Sequence, residues 1–333
     1  MRRRRRGIGD KTGTFVSTWQ TDNAGTSGAT QITLPLEASG DYDFGINWGD
    51  GSSSKITAYD QAEVTHTYPI AGTYTVKIDG VINGFRFNNG GDKAKITDIS
   101  QWGDLLLGNS NGYFHGCSNL DVSATDAWDV SSVTTFDYAF SGCSSLTTLD
   151  VSNWDVSSGT TFFSTFYLCS ELTILDVSSW ELNIDEDITL RSTFQSCSKL
   201  TTLDVSSWDT SRVTDFYRFV QGCSALKTLD VSNWDTSKVT NFFVSFGACT
   251  DLVGLDISNF NISSLTDAEY MLNGTTISNY SEVLINWAAQ IPNIQNEVVF
   301  GAGSNTYNAA GADAKALLEA APYLWDIGDG GAE

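Results

Sequence analysis

The chain is poor in residues suited to acid–base or metal chemistry: it has 2 histidines, His66 and His115, in 333 residues. A Ser-His-Asp site could be drawn only by choosing freely among its many serines, so none is read. No phosphate-binding loop and no paired metal motif occurs. Long apolar runs are missing too. No stretch reaches the roughly 18 apolar residues of a membrane-spanning helix, so no membrane insertion is expected. Positive charge is scarce: 40 Asp and Glu stand against 18 Lys and Arg, a net charge of -22. Such a body is expected to repel nucleic acid. Charged residues make up only 17% of the chain, and Ser, Thr, Gly and Asn fill much of the rest. That mix favours short strands and turns over long surface helices. Apolar residues at 41% still suffice for a core.

One segment breaks the acidity. Arg2, Arg3, Arg4, Arg5 and Arg6 are consecutive, and the polar Gly7-Ile8-Gly9-Asp10-Lys11 follows. A secretory signal needs an apolar stretch after its charges, so none is visible. Residues 1–12 read as a basic tail. It is either disordered or an anchor that docks on an acidic partner, or on nucleic acid inside an assembly.

The 6 cysteines are Cys117, Cys143, Cys169, Cys197, Cys223 and Cys249, spaced 26, 26, 28, 26 and 26. That is a repeat, not a disulfide framework. The phrase Phe140-Ser-Gly-Cys143-Ser-Ser-Leu146-Thr-Thr-Leu149-Asp150-Val151-Ser152-Asn153-Trp154-Asp155 returns around each cysteine. Its tryptophan recurs as Trp128, Trp180, Trp208 and Trp234, then becomes Phe260. Its Asp-Val-Ser or Asp-Ile-Ser step recurs at Asp121, Asp176, Asp204, Asp230 and Asp256. Leu146, Leu149 and Val151 have the spacing of a short leucine-rich-repeat strand. Val133, Phe136, Phe140 and Cys143 fall three to four apart, which predicts one face of a short helix in each unit. Ser157, Ser211 and Ser237 are placed to cap such helices. In the third unit, Glu181 to Asp187 carries two extra residues, expected as a bulged loop. One unit cannot bury its apolar face alone, so the units are expected to stack with their strands about 4.8 Å apart. The cysteines then read as reduced core thiols.

The phrase Phe-x-x-Cys-x-x-Leu-x-x-Leu-Asp-Val-Ser-x-Trp-Asp-Thr-Ser-x-Val-Thr resembles the BspA-like leucine-rich repeat, over about residues 96–272. It is cleanest at 194–214 and, with Val220 in first place, at 220–240. The family's usual helix methionines are Phe here, as at Phe162, Phe216 and Phe242. The resemblance implies a right-handed solenoid on a surface protein, with adhesion and recognition roles and no catalytic residues. Residues 13–88 resemble a PKD-like immunoglobulin-type domain. Trp48-Gly49-Asp50-Gly51, His66-Thr67-Tyr68 and Gly72-Thr73-Tyr74-Thr75-Val76 carry that likeness. Alternating stretches such as Tyr74 to Ile78 suit half-buried antiparallel strands, and Asp50-Gly51 is a natural tight turn. His66 is expected to buttress a strand. The fold expected is mainly β with short helices. A basic tail (1–12) precedes a PKD-like β-sandwich (13–92), a solenoid of 26-residue repeats (93–272) and a C-terminal cap (273–333). In the cap, Ala312 to Ala320 is the best helix former, and Tyr323 to Ile327 reads as an edge strand.

Residues between the apolar positions of the strand should face outward: Thr148, Asp150, Asp176, Thr202, Asp204, Asp230 and Asp256. Stacked carboxylates repel by roughly 1 kcal/mol per neighbour in a high dielectric, so something must offset them. Either backbone amides and water do so, or the face binds a glycan, a protein or a cation. A second row, Asp129, Asp155, Asp209 and Asp235, is expected to satisfy turn amides. Oxygen ligands of the kind calcium takes occur at Asp41, Asp43 and Asp50 and at Asp185-Glu186-Asp187, without any recognised calcium motif. Carboxylates that recur with a repeat do not suggest a glycosidase pair.

The expected function is a non-enzymatic binding or structural surface. A bacteriophage virion spike, fibre or decoration protein is placed first, because no export signal is visible and the arginine tail could plug into a particle. A bacterial cell-surface or secreted adhesin of the BspA-like kind is the alternative. In both, the tail holds a virion or cell-surface protein and the solenoid meets a host glycan or protein.

Overall fold

The computed structural model describes residues 13–333. In chain order the first elements are β1 (Phe15–Gln20), β2 (Gln31–Thr33), β3 (Leu36–Asn47), β4 (Ser53–Ile56), β5 (Thr65–Thr67) and β6 (Thr73–Phe85). Then come β7 (Ile96–Gln101), β8 (Asp121–Val122), β9 (Ile188–Thr189), β10 (Val213–Asp215) and β11 (Asp267–Ala268). The chain ends with α1 (Tyr280–Ala288), β12 (Val299–Gly301), α2 (Ala309–Glu319) and β13 (Asp326–Gly328). The protein is mainly β, with 2 α-helices among the described residues.

In the N-terminal part, apolar residues alternate along β1 and along the second half of β3, so one face of each strand is buried. One sheet has the order β4-β3-β6-β1-β7-β8, and β2 pairs with β5 in a small second sheet. A buried ion pair ties the connection to this part. Lys95 and Asp92 are both fully buried, with Nζ 3.9 Å from the carboxylate. Lys95 Nζ also donates to the carbonyls of Ser27, Gly28 and Gln31, while Asp92 accepts from the amides of Ser27 and Thr33.

β7 joins the two halves of the molecule. It pairs antiparallel with β1 on one side and parallel with β8 on the other. The sheet therefore passes straight into the repeats, and the whole core is one cluster.

In the repeats, equivalent residues of successive coils form a parallel ladder. Thr135 bridges Thr161, which bridges Thr189, and Asp215, Asn241 and Asp267 follow. The ladder continues into the C-terminal part through Asp267–Val299 and Val299–Asp326. α1 and α2 sit between these last strands. α2 and β13 lie where the cap helix and edge strand were expected, whereas the sequence reading missed α1.

The short helices expected within the repeats are not there. Val133, Phe136, Phe140 and Cys143 are buried as expected, but their segment is a string of turns. Alternate amides leave the coil: Phe136, Tyr138 and Phe140 donate to Thr161, Phe163 and Thr165 of the next. The amides between close turns three residues back, as Ala139 to Phe136 and Cys143 to Phe140. Two positions per coil take left-handed backbone. The first is Gly112, Tyr138, Ser164, Ser192, Arg218, Val244 and Tyr270; the second, four residues on, includes Gly116, Gly142 and Gly222. Left-handed residues interrupt an α-helix, yet a chain of turns still brings every third residue inward. Ser157, Ser211 and Ser237 consequently have no helix to cap. Their amides instead donate to Asp155, Asp209 and Asp235.

Candidate functional site

Two rows of aspartates run along the coils, built by one local device. The Ser152 amide and hydroxyl both donate to Asp150 Oδ1, at 3.0 and 2.6 Å. Asp176 and Asp204 hold Ser178 and Ser206 in the same way. The amides of Ser232 and Ser258 donate to Asp230 and Asp256. In the second row, Ser131 and Ser157 donate amide and hydroxyl to Asp129 and Asp155. These hydrogen bonds offset the repulsion between stacked carboxylates. The Ser178 and Ser232 hydroxyls and amides hold Asp176 and Asp230 below the usual carboxylate range, as Ser211 does Asp209.

Thr148, Asp150, Asp176, Thr202, Asp204, Asp230 and Asp256 are all exposed. The aspartates fall one per coil. Thr148 and Thr202 are not neighbours; Ile174 bridges to both and is 59% exposed. Asp121 departs from the expected row. It lies in the Thr147 column, where its carboxylate accepts from the Thr147 amide and hydroxyl. Arg2, Arg3, Arg4, Arg5 and Arg6 lie outside the described residues.

The loops considered for calcium have other partners. Asp43 pairs with Lys55. Asp50 bonds His66 Nε2 at 2.8 Å and the Ser52 hydroxyl at 2.6 Å. Asp187 pairs with Lys238 and Arg212. Among the described residues no group of three or more Asp, Glu, His or Cys could hold a metal ion. His66 lies flat on Trp48, at 4.7 Å, with its edge-on neighbour Tyr68 at 4.5 Å. It thus ties β5 to the turn after β3. The six cysteines are free and buried, and five thiols donate to a carbonyl of the preceding coil, as Cys143 to Phe114.

The string of turns carries an outer stripe that the helix reading hid. His115 stacks on Tyr138 at 5.0 Å, and Tyr138 meets Phe163 at 4.9 Å. The Arg191 guanidinium lies 6.0 Å from the Phe163 ring centre and 4.7 Å from that of Tyr217. The Arg218 guanidinium lies 5.0 Å from the Tyr217 ring centre and 5.8 Å from that of Phe243, while Tyr217 and Phe243 stack on each other at 5.2 Å. Its Nε is buried without a partner. The signal was present in the doublets Phe162-Phe163, Phe216-Tyr217 and Phe242-Phe243. One ring of each goes in and the next goes out.

A family model described as Mycoplasma protein of unknown function, DUF285, matches residues 85–189 and 188–308. No curated protein and no solved structure matches the chain.

Proposed function

Because this chain belongs to the DUF285 family and is a BspA-like repeat protein, we propose that it is a non-enzymatic surface protein whose repeat stack recognises a partner. The observation that carries this reading is the repetition of the exposed groups. Five successive coils each present an aspartate held by the serine two residues on. Catalysis needs a constellation that occurs once, whereas a repeated face suits contact along an extended partner. The stack is a right-handed solenoid in this reading, and the N-terminal sheets are a PKD-like spacer. The Trp48-to-Gly51 turn clamped by His66 supports the latter.

The bacterial cell surface is the setting we favour, because the family match covers most of the repeats. A virion spike, fibre or decoration is the second reading, supported by Arg2 to Arg6. Cosedimentation of the purified full chain with host cells tests the function, beside a chain lacking residues 1–11. Saturable sedimentation of both supports a cell-surface recognition protein. Attachment to virus particles alone, lost with the tail, favours the virion setting. Attachment to neither overturns the proposal.

A further inference from the structure

The outer stripe ends in a groove of about 280 Å³, walled by Glu269, Tyr270, Asn273, Val299 and Asp326. The glycines that end β12 and β13, Gly301 and Gly328, also line it. Gly328 faces open space, whereas a Cβ on Gly301 would strike the Tyr270 backbone amide, so glycine there lets β12 run close under the stripe. Tyr270 breaks the stacking. Its ring stands at 86° to Phe243, 5.9 Å away, whereas Phe243 lies within 8° of Tyr217. The Tyr270 ring is thereby turned across the stack and is 48% exposed, beside Val299 at 37%.

We propose that this groove and the stripe leading to it bind a neutral polysaccharide, with one pyranose ring seated against Tyr270. The inference rests on the reading of this chain as a surface recognition protein. An aromatic face is electron-rich and suits the C–H face of a sugar. Glu269 and Asp326 supply acceptors, and the Asn273 amide both donates and accepts, as vicinal hydroxyls require. The volume is at the low end for a small-molecule site and matches one ring rather than a folded partner. From Tyr138 to Tyr270 the stripe spans five coil steps, roughly 24 Å at about 4.8 Å each, so it is long enough for an oligosaccharide. Charge decides between polymers. An anionic chain would meet Glu269 and Asp326, and a basic peptide would meet Arg191 and Arg218. A neutral polyhydroxyl chain is repelled by neither.

Affinity gel electrophoresis of the full chain tests this, in gels containing dextran, β-1,3-glucan, galactomannan or mannan, with alginate and polylysine for comparison. The expected result is retardation by at least one neutral polymer that survives about 0.5 M salt, where charge interactions reach only a few ångströms. Tyr270→Ala and Asn273→Ala should each weaken it about tenfold, a loss of about 1.4 kcal/mol, while Tyr270→Phe keeps most of it. Asn273 is exposed, so its variant retains the fold whatever happens at Tyr270. No retardation by any neutral polymer overturns the proposal, as does binding of alginate or polylysine alone that salt abolishes. Unchanged retardation of both alanine variants overturns it too. If no neutral polymer retards the chain while wild type and Tyr270→Ala cosediment with cells equally, the groove is discarded and the surface reading survives. If polysaccharide binding is present but cells are not bound, the groove stands and the surface reading falls.

Discussion

The Trp180 indole N–H donates to the Val151 carbonyl, 29 residues back, at 3.1 Å. Trp208, Trp234 and Trp287 repeat this bond with Val177, Val205 and Ile257. Trp154 is buried to nearly the same depth, 4% exposed against 2% for Trp180, yet its Nε1 has no partner.

Phenylalanine at these two positions should therefore have unequal effects. Trp180→Phe loses a buried hydrogen bond and leaves the Val151 carbonyl with the Trp154 amide alone, whereas Trp154→Phe removes an unsatisfied group. Trp180→Phe is expected to cost about 1 kcal/mol more than Trp154→Phe. Urea denaturation of the two variants checks the difference, and equal midpoints would contradict it.

The left-handed positions predict opposite effects at two coils. Val244 holds φ 53 and Gly222 holds φ 75. A β-branched residue is strained there, so Val244→Asn should raise the melting midpoint. Gly222→Val should cost about 1–2 kcal/mol through the backbone alone. A Cβ at Gly222 meets nothing closer than 3.5 Å, so crowding does not account for the loss. Thermal melts of the pair decide.

Asp50 predicts acid sensitivity in the N-terminal part. Burial would raise its pKa, but hydrogen bonds from Ser52 and His66 outweigh that and lower it to about 2. A folded value below the unfolded one, about 3.9, contributes stability that is complete above the unfolded value. It is lost as pH falls toward the folded value, and amounts to roughly 2 kcal/mol. His66→Phe should shrink the fall in urea midpoint between about pH 5 and pH 2. An unchanged fall would mean that His66 does not hold the carboxylate.

The six thiols should resist alkylation in the native state. Burial raises the pKa of each, to about 12 for Cys249 and well above the usual thiol value for the other five. Iodoacetamide at about pH 8 needs thiolate and access, so mass spectrometry should find no adduct until denaturant is added. Rapid native labelling would show that the coils open.

Lys95→Met should be among the most damaging single changes. It leaves the Asp92 carboxylate buried without its cation, and breaking such a pair costs about 3–5 kcal/mol. A variant that melts with the wild type would contradict this.

Sequence alone determined the repeat, its 26-residue period and which side chains go inside. Leu146, Leu149, Val151, Trp154 and Cys143 are all buried, because apolar positions recurring in register can be covered only by neighbouring coils. The turn role of the second aspartate row was legible too, since an Asp-x-Ser step carries its own hydrogen-bonding partner. Only the tertiary structure decided the path between the strands. Inward spacings of three and four are shared by a helix and by a string of turns. What separates them is where the Phe136 and Tyr138 amides point, and their acceptors, Thr161 and Phe163, belong to another coil. The same string of turns carries Tyr217, Phe243 and Tyr270 on its outside, where the stripe meets the groove between Tyr270 and Asp326. No local pattern encodes a neighbour that lies a full coil away.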